Sequence, residues 1–297
     1  MSMEKLKYSL ILLIGAISYG ILAMIVKLAY KDGFVAEEVV FSQYFFGWLL
    51  ILFLFLFSSR KLPTKQSIIQ LSLIGMMSVL TGIFYGKSLE EVPASIAVVL
   101  LFQFTWLGML VDIIFNRRRP NNAEIIAILL LFIGTFLAGA VFEETYFQWT
   151  WSGIIYGLLA AFTFTFFIYF NGKTKSGIPV TIRLFTTASG SLLVAFLLLT
   201  PEILWNGALM EGLWKYGLLL GFFGLIIPVY CFSLGVPKVG TSLGSIIGAA
   251  ELPTAILAAS IVLNEPISSL QWLGIFLILI GITLPQLTIK PLRKKGT

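Results

Sequence analysis

The chain has 297 residues, of which 58% are hydrophobic and only 11% are charged, with a mean hydropathy of +0.98. Globular domains carry about 25% charged residues, so this composition excludes a soluble domain and indicates an integral membrane protein. The net charge of +6 comes from basic residues spread over many short segments rather than from one patch. That spread argues against a nucleic-acid partner and is typical of loops that set topology beside anionic lipid.

Ten long apolar stretches follow one another along the chain and predict ten transmembrane helices. Each stretch is close to the ~20 residues that cross ~30 Å of hydrocarbon. None shows the alternating pattern of a membrane β-barrel, so helices are the predicted element. Interfacial tryptophans anchor helix ends, and Trp149, Trp151, Trp214 and Trp272 lie at predicted ends. The predicted spans are roughly 7–29, 38–58, 67–86, 93–115, 123–142, 150–171, 179–200, 213–234, 239–263 and 270–289.

The loops between these stretches alternate in charge. Basic loops stay on the cytoplasmic side, so alternation at every crossing predicts an even number of spans with both termini cytoplasmic. The basic residues outside this pattern are Lys27, Lys31, Lys87, Arg183 and Lys215. In chain order, the segments carry Lys5 and Lys7; Asp32, Glu37 and Glu38; Arg60, Lys61 and Lys65; Glu90 and Glu91; Arg117, Arg118 and Arg119; Glu143 and Glu144; Lys173 and Lys175; Glu202 and Glu211; Lys238; Glu265; and Lys290, Arg293, Lys294 and Lys295.

The two halves of the chain resemble each other weakly. The run that starts at Tyr85 and passes Pro120 to Gly134 is matched, 145 to 147 residues later, by the run from Tyr230 past Pro266 to Gly281. We expect repeats at 1–145 and 146–297, each with five spans. Because five is odd, the second repeat must insert upside down, which is typical of secondary transporters with a solute site at the midplane.

The most specific stretch runs from Glu251-Leu-Pro253 through an apolar segment to Asn264-Glu265-Pro266, and then through a span punctuated by Gly274 and Gly281. It resembles the ninth and tenth spans of the drug/metabolite transporter superfamily, in its ten-span EamA-type members. The resemblance covers the whole chain, although Trp106 stands where the first repeat of the family commonly has proline. It implies an all-α membrane protein of ten transmembrane helices in a 5+5 inverted-topology repeat. It also implies a carrier of small organic solutes such as metabolites, amino acids or drugs, often an exporter.

Glu251 is the most informative single residue, because it lies near the middle of the predicted ninth span. A charge at that depth costs about 2.5–3.5 kcal/mol or more, so the side chain should face a cavity or a partner. One interpretation is a structural carboxyl that is protonated or hydrogen-bonded to another helix. The other is a group that binds a cationic or amine solute or carries a proton. Burial favours the neutral acid, which makes proton coupling a hypothesis.

Small residues precede Glu251 on one helical face. Gly240, Gly244 and Gly248 recur at a spacing of four, which is typical of close helix packing. The alternative interpretation is that they open room for a solute beside the carboxylate. Pro253 removes one backbone hydrogen bond nearby and is a candidate hinge.

Other polar residues inside the spans are less deep. Lys27, Lys87, Arg183 and Asp112 lie near span ends, where side chains reach the interface cheaply. Alternatively, these four residues form gating pairs or bind an anionic solute group. Lys27 and Lys87 are the candidates for gating, and Arg183 is the best candidate for anion binding, because arginine grips a carboxylate through two parallel hydrogen bonds. Gln43 occupies a place in the first repeat similar to that of Arg183.

Most of the aromatic residues are expected to pack or to face lipid. Tyr85 and Tyr230 match across the repeats and suit gates at opposite membrane faces. Trp106 aligns with Glu251 and has Gln103 one turn away. The remaining predicted pocket residues are Tyr19 in span one and Tyr44 in span two.

Several classes of chemistry are disfavoured. The chain has no histidine and one cysteine, Cys231, so Ser-His triads, histidine zinc sites and thiolate clusters are absent. The sequence has no phosphate-binding loop for ATP. We therefore expect no enzyme activity, metal or cofactor. The predicted function is a monomeric secondary carrier in the plasma membrane of a bacterium, working by alternating access. A lipid-linked substrate flippase of the same fold is the alternative, followed by an intramembrane enzyme or a channel-like protein.

Overall fold

A computed structural model describes residues 3–57, 63–140, 150–174, 177–199 and 201–288. All regular structure within these ranges is helical, and no strand occurs in them. The α-helices are α1 (Met3–Lys31), α2 (Ala36–Leu56), α3 (Lys65–Glu91), α4 (Ala94–Leu101), α5 (Phe104–Asn116), α6 (Asn122–Ala138), α7 (Trp151–Gly172), α8 (Val180–Leu198), α9 (Trp214–Gly221), α10 (Ile227–Val239), α11 (Thr241–Gly248), α12 (Glu251–Leu263) and α13 (Ser269–Thr288). A 3₁₀ turn (Glu202–Leu204) and π-helical turns (Leu209–Leu213, Phe222–Ile226) complete the described elements.

Nine helical segments of the described chain are long and apolar enough to cross a membrane, and a tenth, Asn122–Ala138, is apolar over 17 residues. The prediction of an all-helical, multi-pass membrane protein is therefore confirmed. The cytoplasmic position of both termini stays a prediction. Predicted features that fall outside the described residues are the span ends at 58, 142, 200 and 289, the repeat boundary at 145/146, Trp149, and the loop charges Arg60, Lys61, Glu143, Glu144, Lys175, Lys290, Arg293, Lys294 and Lys295.

The two repeats interlock. The most extensive helix contacts all join one repeat to the other, and they come in exchangeable pairs. Helix α3 packs on α7 as α10 packs on α1, and α3 packs on α8 as α9 packs on α2. The pairs α2–α8 and α6–α13 join equivalent helices. This pattern is unchanged when the repeats are swapped, which is the packing expected of a two-repeat transporter fold.

Spans four and nine are broken at equivalent places, although the sequence predicted continuous helices. Span four is interrupted at Phe102 and Gln103, between α4 and α5, and span nine at Ala249 and Ala250, between α11 and α12. Pro253 explains the second break, because it lacks the N–H that the carbonyl of Ala249 would accept. The Leu252 amide contacts that carbonyl at 3.4 Å instead.

The first break is satisfied differently, because Trp106 occupies the position equivalent to Pro253. The side-chain amide of Gln103 donates to the carbonyl of Val99 at 2.8 Å, and the Thr105 hydroxyl donates to that of Phe102 at 2.9 Å. In lipid every backbone carbonyl needs a partner, so side chains next to the break replace the lost helical bonds.

Helices α6 and α13 cross at their backbones. A Cβ atom on Gly274 would lie 2.7 Å from the carbonyl oxygen of Gly134 and 2.8 Å from the Cα of Ala138. Backbone atoms cannot move aside as a flexible side chain can. The two glycines therefore permit the close approach by which transmembrane helices associate.

We predict that Gly274→Ala destabilises the protein by about 1–3 kcal/mol through overpacking of this crossing. Gly86→Ala is the matched control, because its Cβ would meet its nearest neighbour, the Cβ of Ala36, at 4.0 Å, an ordinary contact. Both changes gain the same helix propensity, so thermal unfolding in detergent isolates the packing cost. Equal midpoints for the two variants would contradict the crossing.

Candidate functional site

A cavity of about 540 Å³ lies between the repeats. Its size is within the ~300–1,000 Å³ of small-molecule sites. It extends from the middle of α1 to the adjoining ends of α1, α3 and α12, and the opposite ends of α1 and α3 contribute none of its lining. The polar or charged residues that line it are Tyr19, Lys27, Tyr30, Gln43, Tyr44, Ser78, Thr81, Tyr85, Ser95, Glu251, Glu265 and Gln271.

Glu251 lies at the deep end of this cavity. It is the first residue of α12, so the break in span nine places its side chain at the start of a helix rather than inside one. Helix α1 approaches closely here, because a Cβ on Gly20 would be 2.7 Å from the Glu251 carbonyl oxygen. The carboxylate makes no hydrogen bond or ion pair with the described residues. It is therefore free to bind a solute group or a proton.

Tyrosines from three helices surround the deep end. Tyr19 of α1 and Tyr85 of α3 are close enough to Glu251 to interact with it electrostatically. Tyr44 of α2 is held in place, because its hydroxyl donates to the carbonyl of Ser78 at 2.9 Å. The cavity wall thus combines one acid with several aromatic faces and hydroxyl groups.

Gln43 connects the cavity to a π-helical turn. Pro228 lacks the N–H that would serve the Gly224 carbonyl, and the Gln43 amide donates to that carbonyl at 3.3 Å. The Ser18 hydroxyl donates to the next carbonyl back, that of Phe223, at 2.7 Å. π-Helical turns of this kind are frequent at functional sites.

An aromatic cluster forms the floor beneath the tyrosines. Phe164 has ring centroids at 5.7 Å from Tyr19 and 4.7 Å from Phe104, and Phe167 lies 5.6 Å from Phe232. Phe104, Phe167 and Phe232 are fully buried. Since the rings come from α1, α5, α7 and α10, a rearrangement of the repeats would move the floor.

An ion pair stands at the cavity mouth. The ammonium of Lys27, at the end of α1, lies 2.9 and 3.2 Å from the two carboxylate oxygens of Glu265, which follows α12. Both side chains are about half exposed, so the pair contributes roughly 0–1 kcal/mol. It joins the two repeats where a solute would enter.

The opposite end is closed by a second charged network, which the sequence did not predict. Arg118 pairs with Asp112, Nη1 to Oδ2 at 3.2 Å, and with Glu124. Both carboxylates are buried, and Asp112 also accepts from the backbone amide of Ser242 at 2.9 Å. The network therefore ties α5 and α6 to α11. One part of this network is visible in the sequence. Asn121 and Glu124 form a capping box at the start of α6, and the box holds the Glu124 side chain in place.

The structure brings five predicted residues to the cavity and leaves others away from it. Tyr19, Tyr44, Tyr85, Lys27 and Glu251 line it. The lining that sequence reasoning missed includes Tyr30, Ser78, Thr81, Ser95, Phe164, Glu265 and Gln271, which give no signal because hydroxyl and aromatic residues are common throughout the spans.

Trp106 and Gln103 pair with each other at the span-four break. The indole N–H donates to the Gln103 side-chain oxygen at 2.7 Å, and neither residue lines the cavity. The breaks align the repeats at an offset of 147 residues, which matches Pro253 with Trp106 and Glu251 with Phe104.

Arg183 is buried at the far side of α8, away from the cavity. Its guanidinium donates to the carbonyls of Ile178, at 3.2 Å, and Ser233, at 3.0 Å. The Ser233 carbonyl is available because Pro237, four residues on, lacks an N–H. Pro237 is therefore the feature of the sequence that indicates an unpaired carbonyl to which Arg183 can donate.

The residues that were predicted to form gates lie in different parts of the structure. Lys87 is exposed with its ammonium 5.6 Å from the Tyr156 ring, and Tyr230 is 42% exposed on α10. Neither lines the cavity.

The predicted packing residues lie at close contacts. A Cβ on Gly248 would be 3.2 Å from the Phe104 ring, and one on Gly244 would be 3.3 Å from Val236. Pro253 is buried in the first turn of α12, where a missing N–H is tolerated.

The model of the EamA-like transporter family matches residues 6–140 and again 151–285. A protein described as "Uncharacterized transporter YxxF" from Bacillus subtilis (strain 168) is 25% identical over 253 residues, covering 83% of this chain and 80% of that protein. A crystal structure, described only as that of a protein, superposes with a TM-score of 0.73 at 16% identity, over 95% of this chain and 99% of its own. That likeness shows the fold alone.

We predict that Arg118→Gln lowers stability by about 2–3 kcal/mol, because it leaves two buried carboxylates without a cation. Arg119→Gln is the matched control, since the exposed Arg119 side chain makes no ion pair within the described part of the chain. Thermal unfolding of both variants measures the difference. If Arg118→Gln unfolds at the same temperature as Arg119→Gln, the network does not hold this end closed.

Proposed function

This chain belongs to the EamA-like transporter family, and from that membership we propose that it is a secondary carrier that moves small organic solutes by alternating access. The observation that carries the proposal is the cavity between the repeats, with Glu251 at its deep end and closed packing beyond it. A carrier needs a central site that one rearrangement opens to each side in turn, and interlocked repeats supply two such arrangements.

The closed end identifies which contacts must change during transport. The network of Arg118 with Asp112 and Glu124, and the aromatic floor around Phe104, block passage from the site to that end. Opening there requires both to separate, while the opposite mouth, where Lys27 and Glu265 already pair, closes. Broken spans four and nine provide the backbone at which such motion is absorbed.

Orientation follows from the charge pattern. The cavity opens at the ends that carry Asp32, Glu90 and Glu265, which the positive-inside rule assigns to the exterior. The proposed state is therefore open to the outside, with both termini in the cytoplasm and repeats divided at 145/146. Export is the direction that the family resemblance favours, and the Bacillus relative supports a bacterial plasma membrane. One chain encloses the site, so we propose a monomer that does not alter its solute chemically.

Glu251 is proposed to couple transport to protons. A carboxyl that faces the cavity can bind a proton in one half of the cycle and release it in the other. Tyr19, Tyr44 and Tyr85 position the solute beside it, Gly244 and Gly248 pack α11 against its neighbours, and Pro253 is assigned to the hinge between α11 and α12. Lys27 is assigned to the outer gate.

We predict that Glu251→Gln abolishes accumulation driven by a pH gradient, reducing it at least tenfold, because an amide cannot carry the proton. The measurement is flux in proteoliposomes of the first solute identified by a thermal-shift screen of metabolites. Glu37→Gln, an exposed acid on α2 outside the cavity, should transport as the unmodified protein does. Undiminished pH-driven accumulation by Glu251→Gln would remove the coupling role.

A further inference from the structure

The ionisable groups in the cavity leave one acid without a counter-ion. The described lining contains three charged residues, namely Lys27, Glu251 and Glu265. Lys27 and Glu265 neutralise each other at the mouth, with the ammonium 2.9 Å from the nearer oxygen. Glu251 has no such partner among the described residues. An anionic solute would therefore find no free cation at the deep end, whereas a cationic solute would favour the ionised form of the carboxyl group beside it.

Aromatic rings surround this acid. Tyr19 and Tyr85 lie within electrostatic range of Glu251, and Tyr44 and Phe164 belong to the same deep wall. The face of an aromatic ring attracts a cation through its quadrupole, and tyrosine faces with a nearby carboxylate form the usual site for an ammonium group. Two independent features, charge and ring chemistry, thus favour the same ligand.

Much of the remaining cavity wall is apolar, although hydroxyl and amide groups also line it. Leu22, Ala23, Val26, Leu101, Leu252 and Ile256 belong to this apolar part of the lining. The volume of about 540 Å³ is far larger than an ammonium group requires. A matching solute therefore has a cationic head that reaches Glu251 and an apolar body that fills the remainder.

We infer that the Glu251 site binds organic cations, namely protonated amines or quaternary ammonium compounds with an apolar or aromatic body. This inference rests on the proposed function, because it assigns a substrate class to the same cavity. It excludes carboxylates and phosphates as preferred solutes, and it gives Glu251 a direct contact with the solute.

The test uses three probes of matched size on the full-length protein in detergent at one pH. Benzyltrimethylammonium carries a permanent positive charge, 2-phenylethanol is neutral and 3-phenylpropanoate is an anion. Isothermal titration calorimetry should show saturable binding of the cation at least tenfold tighter than of either other probe. Glu251→Gln should weaken cation binding at least tenfold, and Glu37→Gln should leave it within twofold of the unmodified protein.

Tyr85 provides a second variant pair that does not remove the acid. Tyr85→Phe keeps the ring and should retain cation binding, whereas Tyr85→Leu should weaken it at least threefold. Equal or tighter binding of the neutral or anionic probe, no saturable cation binding, unchanged binding by folded Glu251→Gln, or equal binding by the two Tyr85 variants would each overturn the inference.

Flux in proteoliposomes separates this inference from the proposed function. Saturable flux of an anionic solute without cation preference would overturn the substrate class and leave the carrier in place. Cation binding at Glu251 without flux of any bound solute would remove the carrier and leave the binding site.

Discussion

A carboxylate near the middle of a bilayer constrains the structure around it, because lipid offers neither water nor a counter-charge. Here Glu251 avoids lipid by starting a helix at the wall of a cavity between the two repeats. Helix α1 approaches it at Gly20, and tyrosines from neighbouring helices form the walls. The cavity, the break in span nine and the packing between the repeats together keep the carboxyl group of Glu251 away from lipid.

Unpaired backbone carbonyls supply much of the polar architecture. Prolines remove helical donors at several places, and at three of them a polar group pairs with the freed carbonyl: Gln43 at Gly224, Arg183 at Ser233, and the Leu252 amide at Ala249. Repacking a helix in lipid requires that such partners be exchanged rather than lost. The broken and π-helical segments are therefore the places where the two repeats can change their arrangement at low cost.

The sequence predicted the ten apolar spans, the duplicated architecture and a cavity position for Glu251, because hydropathy and charge report depth along each span. It could not predict which side chains face one another. The spans are apolar on all sides, so nothing in the pattern fixes their rotation. Trp106 therefore aligned with Glu251 in sequence but lies at a helix break outside the cavity, and Arg118 was counted as a loop charge although it joins two buried acids.

The central claim is that α12 borders a water-filled chamber open to the cell exterior. Cysteine labelling tests it directly, in a background where Cys231 is replaced by serine. Ala255→Cys lies in the cavity wall and Phe276→Cys lies on the outer face of α13. A membrane-impermeant thiol reagent added outside should modify the first and leave the second unmodified. An unreactive residue 255, or one reached only from the cytoplasm, would contradict the claim.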